Sequence, residues 1–167
     1  MNLLVFSDSH GARDLMKKVV ERQLCLPRRE RPEYILFLGD GVRDLSAVEE
    51  VACEIPILAV RGNCDTLLTR YTPDIRMPVF ADRRVMMMHG HHFSVKSGLE
   101  TAMAHAASKE ADLLLFGHTH RPFCEQFEAG ENASKPLTVF NPGSIDEGSF
   151  GVIHISPNGI FCSHGSV

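Results

Sequence analysis

Asn2-Leu3-Leu4-Val5-Phe6-Ser7-Asp8-Ser9-His10-Gly11 joins a short apolar run to a polar loop that ends on glycine. The run has the length and unbroken apolarity of a strand buried on both faces. The pattern then recurs. Ile35-Leu36-Phe37-Leu38 leads into Gly39-Asp40-Gly41, and Leu58-Ala59-Val60 into Arg61-Gly62-Asn63-Cys64-Asp65. Val85-Met86-Met87-Met88 leads into His89-Gly90-His91, and Leu113-Leu114-Leu115-Phe116 into Gly117-His118-Thr119-His120. Five strand ends thus deliver Asp, Asn or His beside a glycine. Six of the nine histidines (His10, His89, His91, His92, His118 and His120) fall in these loops.

The segments between the runs set the fold class. Met16, Val19, Val20 and Leu24 share one face of a helix over Arg13–Leu24, and Leu45, Val48 and Ala52 mark a second helix that stops before Pro56. Strand–helix–strand–helix–strand order predicts parallel pairing of 2–6, 34–38 and 57–60. Leu26–Pro32, with two prolines and dense charge, reads as a solvated loop. Further on, 77–80 and 84–88 flank Ala81-Asp82-Arg83 as a hairpin, and Leu99, Ala102, Met103 and Ala106 form a third helical face. Strand-like stretches follow at 123–128, 137–140, 151–155 and 160–163, with turns at Asn141-Pro142-Gly143 and Pro157-Asn158-Gly159. The expected architecture is mixed α/β (α+β): two mixed sheets packed as a β-sandwich, with helices outside. No linker or repeat divides the 167 residues, so residues 1–167 are expected to form one domain.

Composition excludes several classes. With 44% hydrophobic and 23% charged residues the chain is globular rather than disordered. A net charge of −4 argues against a stable nucleic-acid complex. No apolar run approaches the ~20 residues of a membrane span, and the N-terminus lacks the basic start of a signal peptide. Cysteines 25, 53, 64, 124 and 162 are odd in number and scattered, which suits a reducing, cytoplasmic setting.

In open α/β sheets, ligands bind outside the carboxyl ends of the strands. There Asp8, His10, Asp40, Asn63, His89, His118 and His120 supply seven side chains that suit a divalent metal. One tetrahedral zinc takes four ligands, or three and water, so two ions about 3.5–4 Å apart sharing a carboxylate fit the count better. The mixed oxygen and imidazole set favours Mn²⁺, Ni²⁺, Zn²⁺ or Fe²⁺ over Mg²⁺ or Ca²⁺, with Mn²⁺ taken as the first expectation. Each motif alone has a plainer reading. Asp8 and Asp65 could cap helices, and Gly-Asp is common in turns. All five at successive strand ends point to a metal centre.

These motifs, in this order and covering the whole chain, resemble the calcineurin-like metallophosphoesterase superfamily, and within it the YfcE-like group of small phosphodiesterases. The resemblance implies a four-layer fold with a dinuclear site: Asp8, His10 and His120 on one ion, Asn63, His89 and His118 on the other, and Asp40 bridging both. It also implies hydrolysis of a small phosphoester. Water between two such ions has its pKa lowered from ~15.7 towards ~7, so a bridging hydroxide held by Asp40 is the expected nucleophile. Asn63 and His91 are the expected phosphate contacts, while His92 more naturally packs in its loop.

Many superfamily members carry a histidine after the motif asparagine. Here Cys64 stands in that position, as in the YfcE-like group. A thiol of pKa ~8.5 is a poor proton donor to a leaving group, which favours diesters and good leaving groups; as a metal ligand Cys64 is superfluous. Asp44, Asp65 and Asn141 are expected to orient the loops. Arg43 and Arg61 either meet a phosphate or serve structure. His105 is expected to be exposed, His154 to pack on its sheet and His164 to lie in the tail. Exposed apolar residues on the late strands would allow a homodimer. The alternative function is a protein-interaction scaffold, the role of the retromer subunit that shares this fold.

Overall fold

The computed structural model describes residues 1–52, 54–66, 69, 71–129 and 135–167; Cys53 lies outside the described residues. Asn2–Phe6 forms β1 and divides its side chains between two cores, Leu3 and Val5 facing one, Leu4 and Phe6 the other. Both faces are covered, which is why the run is apolar throughout. β2 (Tyr34–Phe37) and β3 (Ile57–Ala59) continue the sheet in parallel, pairing Leu4 with Ile35 and Leu36 with Leu58. The connections are α1 (Arg13–Leu24) and α2 (Leu45–Ala52), which bury Met16, Val19, Val20, Val48 and Ala52 in the core that holds Leu4, Phe6, Ile35 and Phe37. The intervening 26–32 loop is exposed apart from Leu26 and Pro32, and contains a single 3-10 turn at Arg28–Glu30.

The second sheet comprises β4 (Ile75–Arg76), β5 (Val79–Phe80), β6 (Arg83–Met88), β7 (Leu113–Leu115), β8 (Phe123–Phe127) and β9 (Leu137–Asn141). Its order is β4-β6-β7-β9-β8, with β5 also pairing β6. The pairs β6–β7 and β7–β9 are parallel, while β4, β5 and β8 run antiparallel to their neighbours. The expected hairpin is present as β5–β6, turned by Ala81 and Asp82 alone, both at positive φ (46° and 64°). That geometry follows the twist of paired strands. Pro78 separates β4 from β5, since it has no N–H for a ladder. α3 (Glu100–Ser108) buries Ala102 and Ala106 with Met86, Met88, Leu114 and Val139. His105 is half-buried rather than exposed, its ring 5.0 Å from that of Phe93.

β10 (Ser149–Ser156) and β11 (Gly159–Ser166) complete the first sheet as β11-β10-β1-β2-β3. Both outrun the expected 151–155 and 160–163. β11 is an edge strand with largely exposed residues, so backbone pairing continues where apolar alternation stops. His164 is therefore a strand residue: its Nε2 donates to the Asn141 carbonyl at 2.8 Å and its ring stacks on Phe140. His154 pairs with Asn2 across β1 and bonds its side chain at 2.7 Å. Phe161 on β11 is exposed.

The layers are thus α1 and α2, first sheet, second sheet, α3. Leu3, Val5, Leu36 and Leu38 meet Val85, Met87, Leu113 and Leu115 between the sheets. Each such side chain contributes about 1.5–3 kcal/mol by burial, which fixes the two sheets against each other and the loops at their edges. No described helix is long and apolar enough to cross a membrane.

Candidate metal centre

Backbone N–H groups knit four of the five motif loops together. Asp8 N–H donates to Gly39 O (2.9 Å), and His10 N–H to Asp40 O (3.2 Å). Gly117 N–H donates to His89 O (3.1 Å), and His118 N–H crosses between sheets to Asp8 Oδ2 (3.0 Å). Two glycines are required by close approach rather than by φ. A Cβ on Gly62 would collide with Asp40 Oδ1, and one on Gly117 with Ser7 Oγ. The polar residues carry the unusual conformation instead: Asp8, His10, Asp40, His118 and His120 all lie at φ between 43° and 66°. Such residues cost of order 1–3 kcal/mol each and cluster at functional sites.

Asp8, His10 and His120 place ligand atoms within 4.8 Å of one another, as do Asp40, His89 and His118. A third such group, His10, Asp40 and Cys64, shares His10 with the first and Asp40 with the second. His120 Nε2 is 3.3 Å from Asp8 Oδ1, and His89 Nε2 is 3.3 Å from Asp40 Oδ2. His10 and His120 face each other through Nε2 atoms 3.4 Å apart, and His89 Nε2 is 3.1 Å from His118 Nδ1. Asn63 Oδ1 joins the second group, 3.2 Å from His89 Nε2. Asp8 Oδ1 is buried without a hydrogen-bond partner. An orphaned carboxylate oxygen with imidazole nitrogens converging beside it is the donor set a divalent cation satisfies, so the residues fit such an ion.

The electrostatics agree. Burial raises the Asp8 carboxyl against the opposing pull of His89, Ser7, His120 and the His118 N–H. Burial also pushes Asp40 up, but the hydrogen bond and charge of His89, with the Cys64 N–H, carry it below the usual carboxylate range. His89 is raised: burial disfavours its charge, and Asp40 and Asp8 more than reverse that. His118 falls to about 4 through burial and the charges of His89 and Lys96. The two neighbouring imidazoles are thus pushed in opposite directions, His89 towards its charged form and His118 towards its neutral one.

Other expected residues fall into place around this core. Asp8 caps no helix, since the N-cap of α1 is Ala12. Asp65 accepts from the N–H groups of Asp40, Gly41, Val42 and Gly62 at 2.8–3.0 Å, tying the loops after β2 and β3 together. Asp44 accepts from Ser9 Oγ and Gly11 N–H. Asn141 donates to Gly117 O and Thr119 Oγ1. Arg61 makes a bidentate pair with Asp74 and is engaged in structure; Arg43 is exposed. His91 lies beside His89 and His118 with a buried, unpartnered Nδ1, and its ring is 3.9 Å from that of exposed His92. Burial and the charges of His92 and His89 lower its pKa. Cys64 accepts from Asn63 Nδ2 at 3.2 Å, and burial and Asp40 raise its thiol. Ser7 and Ser144, which bond Asp8 Oδ2 and Asp8 O, escaped the sequence reading because buried serines carry no periodic signal.

A family model described as calcineurin-like phosphoesterase superfamily domain matches residues 1–156. The phosphodiesterase YfcE of Escherichia coli (strain K12) is 30% identical over 164 residues, covering 87% of this chain and 79% of its own. The probable metallophosphoesterase YsnB of Bacillus subtilis (strain 168) is 29% identical over 145 residues, covering 87% and 75%. Among solved structures, a Vps29 single mutant from Entamoeba histolytica superposes with a TM-score of 0.70 at 19% identity, over 100% of this chain and 99% of its own.

Proposed function

The chain belongs to the calcineurin-like phosphoesterase superfamily, and from that premise we propose that it is a dinuclear-metal phosphodiesterase acting on a small phosphoester through its 1–167 domain. The observation that carries this is the pair of ligand groups, Asp8-His10-His120 and Asp40-His89-His118, linked by the third group of His10, Asp40 and Cys64. Asp8, His10 and His120 would hold one ion, Asn63, His89 and His118 the other, with Asp40 shared; Mn²⁺ is the first expectation, then Ni²⁺, Zn²⁺ or Fe²⁺. When bound, such a pair supplies Lewis acidity and a water acidified towards neutral pH.

The side chains of the site do the rest. Asp40, kept ionised by His89, orients the attacking water. Asn63 offers its amide N–H₂, and neutral His91 a ring N–H, to phosphate oxygens. The water oxygen bonds to phosphorus as the P–O ester bond breaks; one water proton leaves to solvent and the departing oxygen takes another. Cys64, held as a thiol, is a weaker acid than an imidazolium. Good leaving groups and diesters are therefore favoured.

The test is metal-stripped protein reloaded with Mn²⁺, Ni²⁺, Zn²⁺ or Mg²⁺ and assayed on bis-(p-nitrophenyl) phosphate, an alkyl phosphate monoester and a carboxylic ester. Metal-dependent diester turnover, faster than the monoester and inhibited by phosphate or vanadate, is expected. Silence with every metal, or turnover of the carboxylic ester alone, would overturn the reading.

A further inference from the structure

Beside the His118–His120 loop lies a cavity of about 530 Å³, within the range of small-molecule sites. Apolar side chains form about half of its lining: Val95 and Phe116 are buried, and Leu99 and Phe123 half-buried. The Phe116 and Phe123 rings are tilted at 59° with centroids 6.2 Å apart. The cavity adjoins the loops of the metal centre along the chain. Thr119, between His118 and His120 in sequence, lines it and is anchored by Asn141. Val95 lines it from behind Gly90, packed so close that an added Cβ there would sit 2.7 Å from Val95 Cγ2. Lys96 and Arg121 also line it; both are exposed, and neither forms an ion pair among the described residues.

Resting on the phosphodiesterase reading above, we propose that this cavity receives one arm of the ester, and that the arm is a planar ring bearing a second anionic group. Apolar walls with two phenyl rings favour an aromatic guest, which stacks or meets them edge-on. A neutral arm would fill the same volume but leave both cations unmet. Arg121 suits a carboxylate or phosphate by its planar fork, and stacks on rings as well. Complementary charge of this kind selects among ligands more than it adds raw affinity.

Zinc-loaded protein, being diamagnetic, allows the test by NMR titration and by competition against bis-(p-nitrophenyl) phosphate hydrolysis. The probes are methylphosphonate, phenylphosphonate and 4-carboxyphenylphosphonate. Phenylphosphonate is expected to bind about tenfold or more tighter than methylphosphonate, as burial of a ring requires, and to shift the amides of Val95, Leu99 and Phe123. The carboxylate should tighten binding further. Lys96→Ala combined with Arg121→Ala should erase that last gain, and Phe123→Ala should erode the advantage of the ring, with methylphosphonate unaffected by either. Lys96 and Arg121 are exposed, so their replacement leaves the fold intact and the test valid even if Phe123→Ala unfolds. Equal binding of all three probes, or ring-induced shifts elsewhere, overturns the inference and leaves the phosphodiesterase reading standing. Failure of methylphosphonate to bind or compete defeats that reading, and this one with it.

Discussion

Asparagine at position 40 would keep an oxygen for the Cys64 N–H, which now donates to Asp40 Oδ1 at 2.7 Å, but would lose the charge that the proposed bridge needs. Partners of metal ligands typically cost 10–100-fold when removed, so loss of the shared ligand itself should lower turnover by at least ~100-fold. Circular dichroism and thermal melting of metal-free Asp40→Asn should match the parent; full turnover in that variant would rule out bridging. His89 sets the pH dependence. Its pKa is raised above the ordinary 6.5, whereas His118, at about 4, is already neutral near pH 7. Metal must therefore displace the His89 proton, and affinity should climb as pH rises through that raised value. Below it, the apparent Kd for Mn²⁺ should weaken by up to about tenfold per pH unit while one proton is displaced. Calorimetry in buffers of different ionisation enthalpy checks this, and binding without proton release would contradict it.

The loops after β2 and β3 depend on each other through Asp65, whose carboxylate receives four backbone N–H groups. Asp65→Asn keeps one acceptor oxygen and turns an N–H₂ towards donors. The expected cost is about 1–3 kcal/mol, from N–H groups left unmet. Denaturant melts of metal-free protein should show it, with weaker metal binding alongside; an unchanged midpoint would show the clamp to be dispensable. At this level most elements could be read from the chain. β1, β2, β6 and β7 are buried on both faces, so their apolar runs stand out against the loops. α1 runs over the expected residues because its buried face repeats at helical spacing. β10 and β11 extend beyond the stretches that apolar patterning marks, because pairing with the edge strand β11 is a property of the backbone, and His164 lies in that extension.

For the molecule as a whole, an ion that binds only the folded chain must stabilise it. At one hundred times Kd a single site adds about 2.7 kcal/mol, roughly 5–10 °C in Tm for a chain of this size. Chelation should lower Tm by at least that, and metal analysis should return two ions per chain; a scaffold without ions would show neither. The linear order of residues was enough to establish the strand ends, the ligand types gathered there and the family they resemble, because burial demands apolar runs and metals demand oxygen and imidazole. Folding alone decided which loops would touch. β1, β2 and β3 bring three motifs from one sheet, while β6 and β7 bring two from the other. Only the packing of Leu3, Val5, Leu36 and Leu38 against Val85, Met87, Leu113 and Leu115 sets those edges together. The engagement of Arg61 by Asp74, the four-pronged role of Asp65 and the cavity beside Thr119 are tertiary contacts as well. They arise between residues distant along the chain, and no local pattern encodes such contacts.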